Sequence, residues 1–153
     1  MFRSGSFVAE HVTPTEEVQV QPNGVDLTVE AVSVVDGIGR IAIGGKDNAD
    51  HRFIDPEDGW YELTPGSYVV RYAEQVAIPD DHVGYILPRS SLLRNGTTLH
   101  TAVWDTGYEG KGAGLMTVGA TIEIEAGARI GQFVLAEAEH AGRYDGTYHG
   151  EGL

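Results

Sequence analysis

Ser67-Tyr68-Val69-Val70-Arg71-Tyr72 is a run of β-branched and aromatic residues entered through Pro65-Gly66. Such side chains suit a pleated, half-buried surface, and Pro-Gly is turn chemistry. Working outward, Thr121-Ile122-Glu123-Ile124-Glu125 alternates polar and apolar, the period of a strand with one wet face. Arg129-Ile130-Gly131-Gln132-Phe133-Val134-Leu135 closes a third β-like run, and Val25-Asp26-Leu27-Thr28-Val29 is a fourth, preceded by the turn Gln21-Pro22-Asn23-Gly24. Pro79-Asp80-Asp81, Asn95-Gly96 and Ala126-Gly127 supply further turns, and 21 glycines leave helix little room. The pattern predicts an all-β sandwich or barrel. One short helix is expected, at Ser90-Ser91-Leu92-Leu93-Arg94, where polar residues open a run that stops at Asn95-Gly96. Asp36 to Gly59, rich in Gly, Asp and Asn, reads as a loose excursion, and His140 to Leu153 as a polar, mobile tail with little core of its own.

The 153 residues suit one domain with a real core, residues 1–139, followed by the tail, 140–153. No apolar run reaches the roughly 18 residues of a membrane span, and Met1-Phe2-Arg3-Ser4-Gly5 lacks a signal-peptide layout, so the expectation is a cytoplasmic protein without a membrane partner. The absence of cysteine excludes disulfides, cysteine nucleophiles and the Cys-x-x-Cys zinc deaminases. With 23 acidic against 10 basic residues the net charge is −13, which argues against nonspecific nucleic-acid binding. Lys46 and Lys111 are the only lysines, and the acids are scattered. Such a surface suits high salt, where a screening length of about 3 Å makes self-repulsion tolerable. An ordinary acidic cytosolic protein is the plainer alternative. The six histidines show no H-x-x-x-H spacing and read as surface or strand residues.

Chemistry concentrates between Pro88 and Gly110. The N-terminus of the short helix offers free backbone N–H groups to an anion; Arg89 and Arg94 add forked donors, and Ser90 and Ser91 add hydroxyls. Trp104-Asp105-Thr106-Gly107-Tyr108-Glu109-Gly110 follows, with a single placed carboxylate.

Five segments in order, Gln21 to Leu27, Pro88 to Arg94, Trp104 to Gly110, Gly127 to Gln132, and Tyr144-Asp145-Gly146-Thr147-Tyr148-His149-Gly150-Glu151, together resemble the trimeric dUTPase and dCTP deaminase superfamily, and most of all its archaeal, halophile-type dUTPases. The resemblance implies a distorted β-barrel or jelly roll, a homotrimer with active sites shared between subunits, and magnesium bound with a nucleoside triphosphate. Deaminases of the group carry a glutamate about ten residues after the motif aspartate; here that position is Leu115, and an apolar side chain cannot shuttle protons. In dUTPases a tyrosine three residues after the aspartate packs on the deoxyribose and excludes a 2′-hydroxyl, and Tyr108 stands there. The balance favours dUTP hydrolysis over a dCTP deaminase, alone or bifunctional, and over a barrel that only binds nucleotide.

Carried onto this sequence, the resemblance makes Asp105 the base that activates water. Arg89, Ser90, Ser91 and Arg94 become triphosphate binders and Gln132 a phosphate contact. Asp26 organises the water shell of Mg2+ without binding it directly, consistent with the way magnesium retains its waters. Main-chain groups near Leu99, His100, Thr101 and Ala102, on the strand leading to Asp105, would read the uracil edge. Tyr144 and Tyr148 would pack on the nucleotide from a closing tail. That tail departs from the family pattern, with Thr147 and Glu151 where related proteins carry lysine and glutamine, and a carboxylate facing a triphosphate would repel it.

Overall fold

The computed structural model describes residues 1–153. The chain opens with helix α1 (Gly5–Ala9), capped by the Ser4 side chain, then β1 (Val12–Thr13), a 3-10 turn (Glu17–Gln19), β2 (Val20–Gln21) and the long β3 (Gly24–Asp36). An outlying region follows: β4 (Arg40–Ala42), β5 (Gly45–Asp47) and β6 (Asp50–Ile54). The body continues with β7 (Trp60–Leu63), β8 (Gly66–Tyr72), β9 (Gln75–Ala77), β10 (His82–Pro88), helix α2 (Ser90–Arg94), β11 (Thr97–His100), β12 (Glu109–Gly110), β13 (Ala113–Val118), β14 (Ile122–Glu125) and β15 (Arg129–Glu137).

The main sheet runs β10-β15-β3-β8-β13-β11, with β2 and β6 also pairing β3. It curls until its two ends meet. Beyond β11, Trp104 exchanges backbone bonds with Gly84 of β10, 2.9 and 3.1 Å, and the Thr101 hydroxyl accepts from the Ile86 amide at 3.1 Å. The result is a distorted, nearly closed barrel. Closure leaves few open edges, a favourable arrangement for short antiparallel strands. Alternate residues fill the interior: Val25, Leu27, Val29, Val70, Tyr72, Ile86, Met116, Phe133 and Leu135 are buried. The strand runs read from sequence correspond to β3, β8, β14 and β15.

Three expectations are corrected. The chain has two short α-helices, not one; α1 is too brief to show a helical period and depends on its Ser4 cap. Asp36 to Gly59 is not a loose connection, because β6 pairs β3 from Val32↔Ile54 to Asp36↔Asp50 and β4 pairs β5. The strand before Asp105 ends at His100, so Thr101 and Ala102 lie beyond it. Among the helices, none is long and apolar enough to cross a membrane.

Candidate active site

β10 is the ruler along which the site is laid out. Near its start, Gly84 pairs with Trp104 and so holds Asp105; at its end, Pro88 leads into Arg89 and α2. Five residues of extended chain, from Gly84 to Arg89, span about 17 Å. The sequence-predicted residues therefore fall into two groups, one at each end of β10.

The first group lines a cleft of about 450 Å³ that includes Ala102, Asp105, Tyr108, Tyr144 and Tyr148. Asp105 is exposed, and its carboxylate enters none of the chain's ion pairs. It lies in a turn that the Tyr108 amide closes on the Asp105 carbonyl at 3.1 Å. The buried Thr106 anchors that turn through its hydroxyl, which donates to Pro79 and His82 carbonyls at 3.0 and 2.9 Å. One wall is aromatic: Tyr108 meets Trp104 edge-on at 4.9 Å and Tyr144 at 5.3 Å. Burial, reinforced by Glu151 and Tyr144, pushes the Tyr108 hydroxyl far above the ordinary phenol value, so it stays neutral. Tyr108 is only 6% exposed within the chain, because Tyr144 lies against it. The amides of Thr101, Ala102 and Val103 donate to no backbone carbonyl. They offer a free main-chain edge at the cleft, while Leu99 and His100 are paired with Met116 and Leu115.

The tail lies across this cleft. Tyr144 donates its amide to the Thr106 carbonyl at 2.7 Å, Gly150 to Glu109 at 2.7 Å, and the Lys111 amide to the Glu151 carbonyl at 2.9 Å. Glu151 lines both this cleft, with Asp105, and a smaller pocket with Arg71. Burial raises its carboxyl above the ordinary value, with Arg71 opposing. Asn48 and His51 from the excursion also line the cleft, and Asn48 donates to the Tyr148 hydroxyl at 3.0 Å. Neither was legible beforehand. Polar residues in a glycine-rich connection carry no signal of where the connection folds back.

The second group surrounds Asp26. Its carboxylate, 2% exposed, pairs with Arg89 at 3.1 Å and Arg129 at 3.2 Å. Burial pushes the Asp26 carboxyl above its ordinary value while the two guanidiniums pull it down. Gln132 is the cross-strand neighbour of both Asp26 and Leu87. Ser90 and Ser91 are exposed on α2, and Arg94 turns back to donate to the Ser90 carbonyl at 3.3 Å. Arg129 was not singled out from sequence; it lies 103 residues from Asp26, and only the β3–β15 register brings them together. Glu74 was also missed. It is buried, accepting from Gln19 at 2.8 Å and from the Thr28 hydroxyl and amide at 2.8 and 2.9 Å, and so fixes β3 two residues from Asp26. No group of three or more His, Asp or Glu side chains is arranged to hold a metal ion. With Asp26 taken up by two arginines, a divalent cation here would need oxygens from a ligand.

A family model described as dCTP deaminase-like matches residues 4–138, and the chain belongs to that family. A relative from Halobacterium salinarum, named probable deoxyuridine 5′-triphosphate nucleotidohydrolase, is 47% identical over 157 residues, covering 99% of this chain and 95% of its own. One of the same name from Aeropyrum pernix is 42% identical, covering 88% and 87%. A third, from Methanocaldococcus jannaschii, named deoxyuridine 5′-triphosphate nucleotidohydrolase, is 39% identical, covering 88% and 90%. Among solved structures, 2′-deoxycytidine 5′-triphosphate deaminase from Agrobacterium tumefaciens superimposes with a TM-score of 0.67 at 17% identity over 90% of this chain. This chain spans 48% of that one, and the likeness is one of fold.

Proposed function

We propose that the protein is a dUTP diphosphatase that hydrolyses dUTP to dUMP and pyrophosphate. The observation that carries this reading is the unpaired Asp105 carboxylate at a cleft walled by Trp104, Tyr108 and Tyr144. Water bound to Asp105 attacks the α-phosphorus, its proton passes to the carboxylate, and the bond from that phosphorus to the bridging oxygen of the pyrophosphate breaks. A positioned, ionised carboxylate is sufficient for this role, since alignment and charge neutralisation carry most of phosphoryl-transfer catalysis. The names of the archaeal relatives support the substrate.

Arg89, Ser90, Ser91 and Gln132 bind the triphosphate; Asp26 holds Arg89 and Arg129 in place for it. The free amides at Thr101 to Val103 read the base, and Tyr108 bounds the sugar. Magnesium bound with the triphosphate would supply charge neutralisation there, held by the phosphate oxygens, and Asp26 would act on its water shell only at a distance. Because about 17 Å of β10 separates the two groups, the site is completed by a second copy, in keeping with a homotrimer. The tail closes the cleft against bulk water, with Tyr144 and Tyr148 resting on the nucleotide. Leu115, opposite His100 on β13, leaves no acid where a deaminase would need one.

The test is product analysis with magnesium and dUTP, then dCTP. Pyrophosphate and dUMP from dUTP alone support the proposal, and ammonia released from dCTP overturns it. Asp105→Asn should leave dUTP binding within a few-fold and lower kcat by roughly 10² to 10⁴. Unchanged turnover would remove Asp105 from its role.

A further inference from the structure

The β4–β5 hairpin is an outlier in this molecule. Its two strands pair with each other and with nothing else, and every one of their residues is exposed. Ile38, Ile41 and Ile43 are 95%, 96% and 112% exposed, far more than any other isoleucine, valine or leucine of the chain, of which Leu153 at 68% comes next. Isolated single apolar residues on a surface are ordinary, but three within six positions on a projecting hairpin are not. An uncovered two-stranded hairpin is also marginal in water. Its charge differs from its surroundings as well: Arg40 and Lys46 stand against Asp47 alone, a net positive stretch on a chain of net charge −13. At its base, Asn48 donates to Tyr148 and Lys46 lies over the Tyr148 ring at 4.3 Å, so the hairpin adjoins the mouth of the cleft.

We propose that the β4–β5 hairpin is an arm that docks, through Ile38, Ile41 and Ile43, on a second copy of this chain, with Arg40 and Lys46 meeting its acidic residues. Two observations choose that occupant. A net positive apolar arm is complementary to the strongly acidic body of another copy. The arm is also continuous, through Tyr148, with the edge of the half-site that a second copy completes; this part rests on the two-part site proposed above. Docking covers the isoleucines and ties the seating of the tail over the cleft to assembly.

The experiment uses the full chain in two arms. In the first, the triple variant Ile38→Ser, Ile41→Ser, Ile43→Ser is compared with wild type by sedimentation velocity over a concentration series, with circular dichroism and Tm as fold controls. The expected result is a dissociation midpoint raised at least tenfold in protein concentration with both controls unchanged; a midpoint within twofold of wild type overturns the proposal, as does a wild type that is monomeric throughout. In the second, Ile41→Cys, the sole thiol in a cysteine-free chain, carries a benzophenone photoprobe. Chain-to-chain adducts are expected. Adducts confined to the probe's own chain, none at all, or adducts in cell extract with a different protein in place of a second copy overturn the proposal. Pyrophosphate release by wild type, measured alongside, reports on the hydrolase reading independently of either arm.

Discussion

At the scale of single residues, what matters most is how tightly the neighbour of Asp105 is packed. Trp104, immediately before it, is wedged between Tyr108, Phe133 and Gly112. Gly112 has φ +65°, and a β-carbon there would stand 2.2 Å from the Trp104 ring. Both the backbone and the space demand glycine. Gly112→Ala should therefore cost about 2 kcal/mol or more in stability. By moving the ring it should also displace Asp105 and lower kcat at least tenfold, a misplacement of the order of 1 Å being enough. Gly66→Ala, whose added carbon meets nothing closer than 3.7 Å, is the control and should change neither. Chemical denaturation and steady-state kinetics on the two variants check this. The residue scale is also where sequence reading was incomplete. Asp105, Tyr108 and Ala102 announce themselves within one short stretch, whereas Arg129 and Glu74 act through partners distant in the chain, so no local pattern marks them.

At the scale of elements, α1 shows how a segment without a sequence signature is held. Phe7 carries Arg3 over its ring at 4.1 Å and packs on His11 at 5.0 Å and His82 at 5.2 Å, docking the helix on the barrel. Burial lowers His11 below the ordinary histidine value of 6.5; Glu10 opposes this and His82 adds to it. The sign follows. Below pH 6.5 the unfolded chain takes up a proton that folded His11 still refuses, so stability is intact above that pH and falls as pH drops towards the lowered folded value. Denaturation midpoints at pH 7.5 and 5.5 should show a loss in wild type that is smaller in His11→Phe, which keeps a ring but cannot titrate; equal losses would assign the acid sensitivity elsewhere. The strands tell the complementary story. β8 and β14 were legible because each has one dry face, and a dry face imposes alternation; β15 was legible as an apolar run, with Phe133, Val134 and Leu135 all buried. β4 and β5 were not, because a hairpin exposed on both faces imposes none. Helix α2 was legible from its ends: exposed Ser90 and Ser91 open it, and Gly96 at φ +69° stops it.

At the scale of the whole molecule, the net charge of −13 over a nearly closed barrel sets the conditions under which the protein holds together. Self-repulsion across the surface is strongest in dilute buffer and is screened as salt rises. Activity and assembled mass should persist or increase between roughly 0.1 M and 2 M KCl, where the screening length falls to a few ångströms. Light scattering and pyrophosphate release across that series test it; dissociation in high salt with full activity in dilute buffer would remove the high-salt reading. The sequence by itself determined the all-β class, the short helix at Ser90–Arg94 and the carboxylate beside a tyrosine, since these rest on local periodicity, turn chemistry and residues adjacent in the chain. Only the tertiary structure decided that Asp105 and Arg89 lie at opposite ends of β10, that Asp26 is locked by Arg89 and Arg129, that the tail and Asn48 meet over the cleft, and that three isoleucines stand in water. Those outcomes depend on strand register and barrel closure, which are set by contacts between residues far apart in sequence.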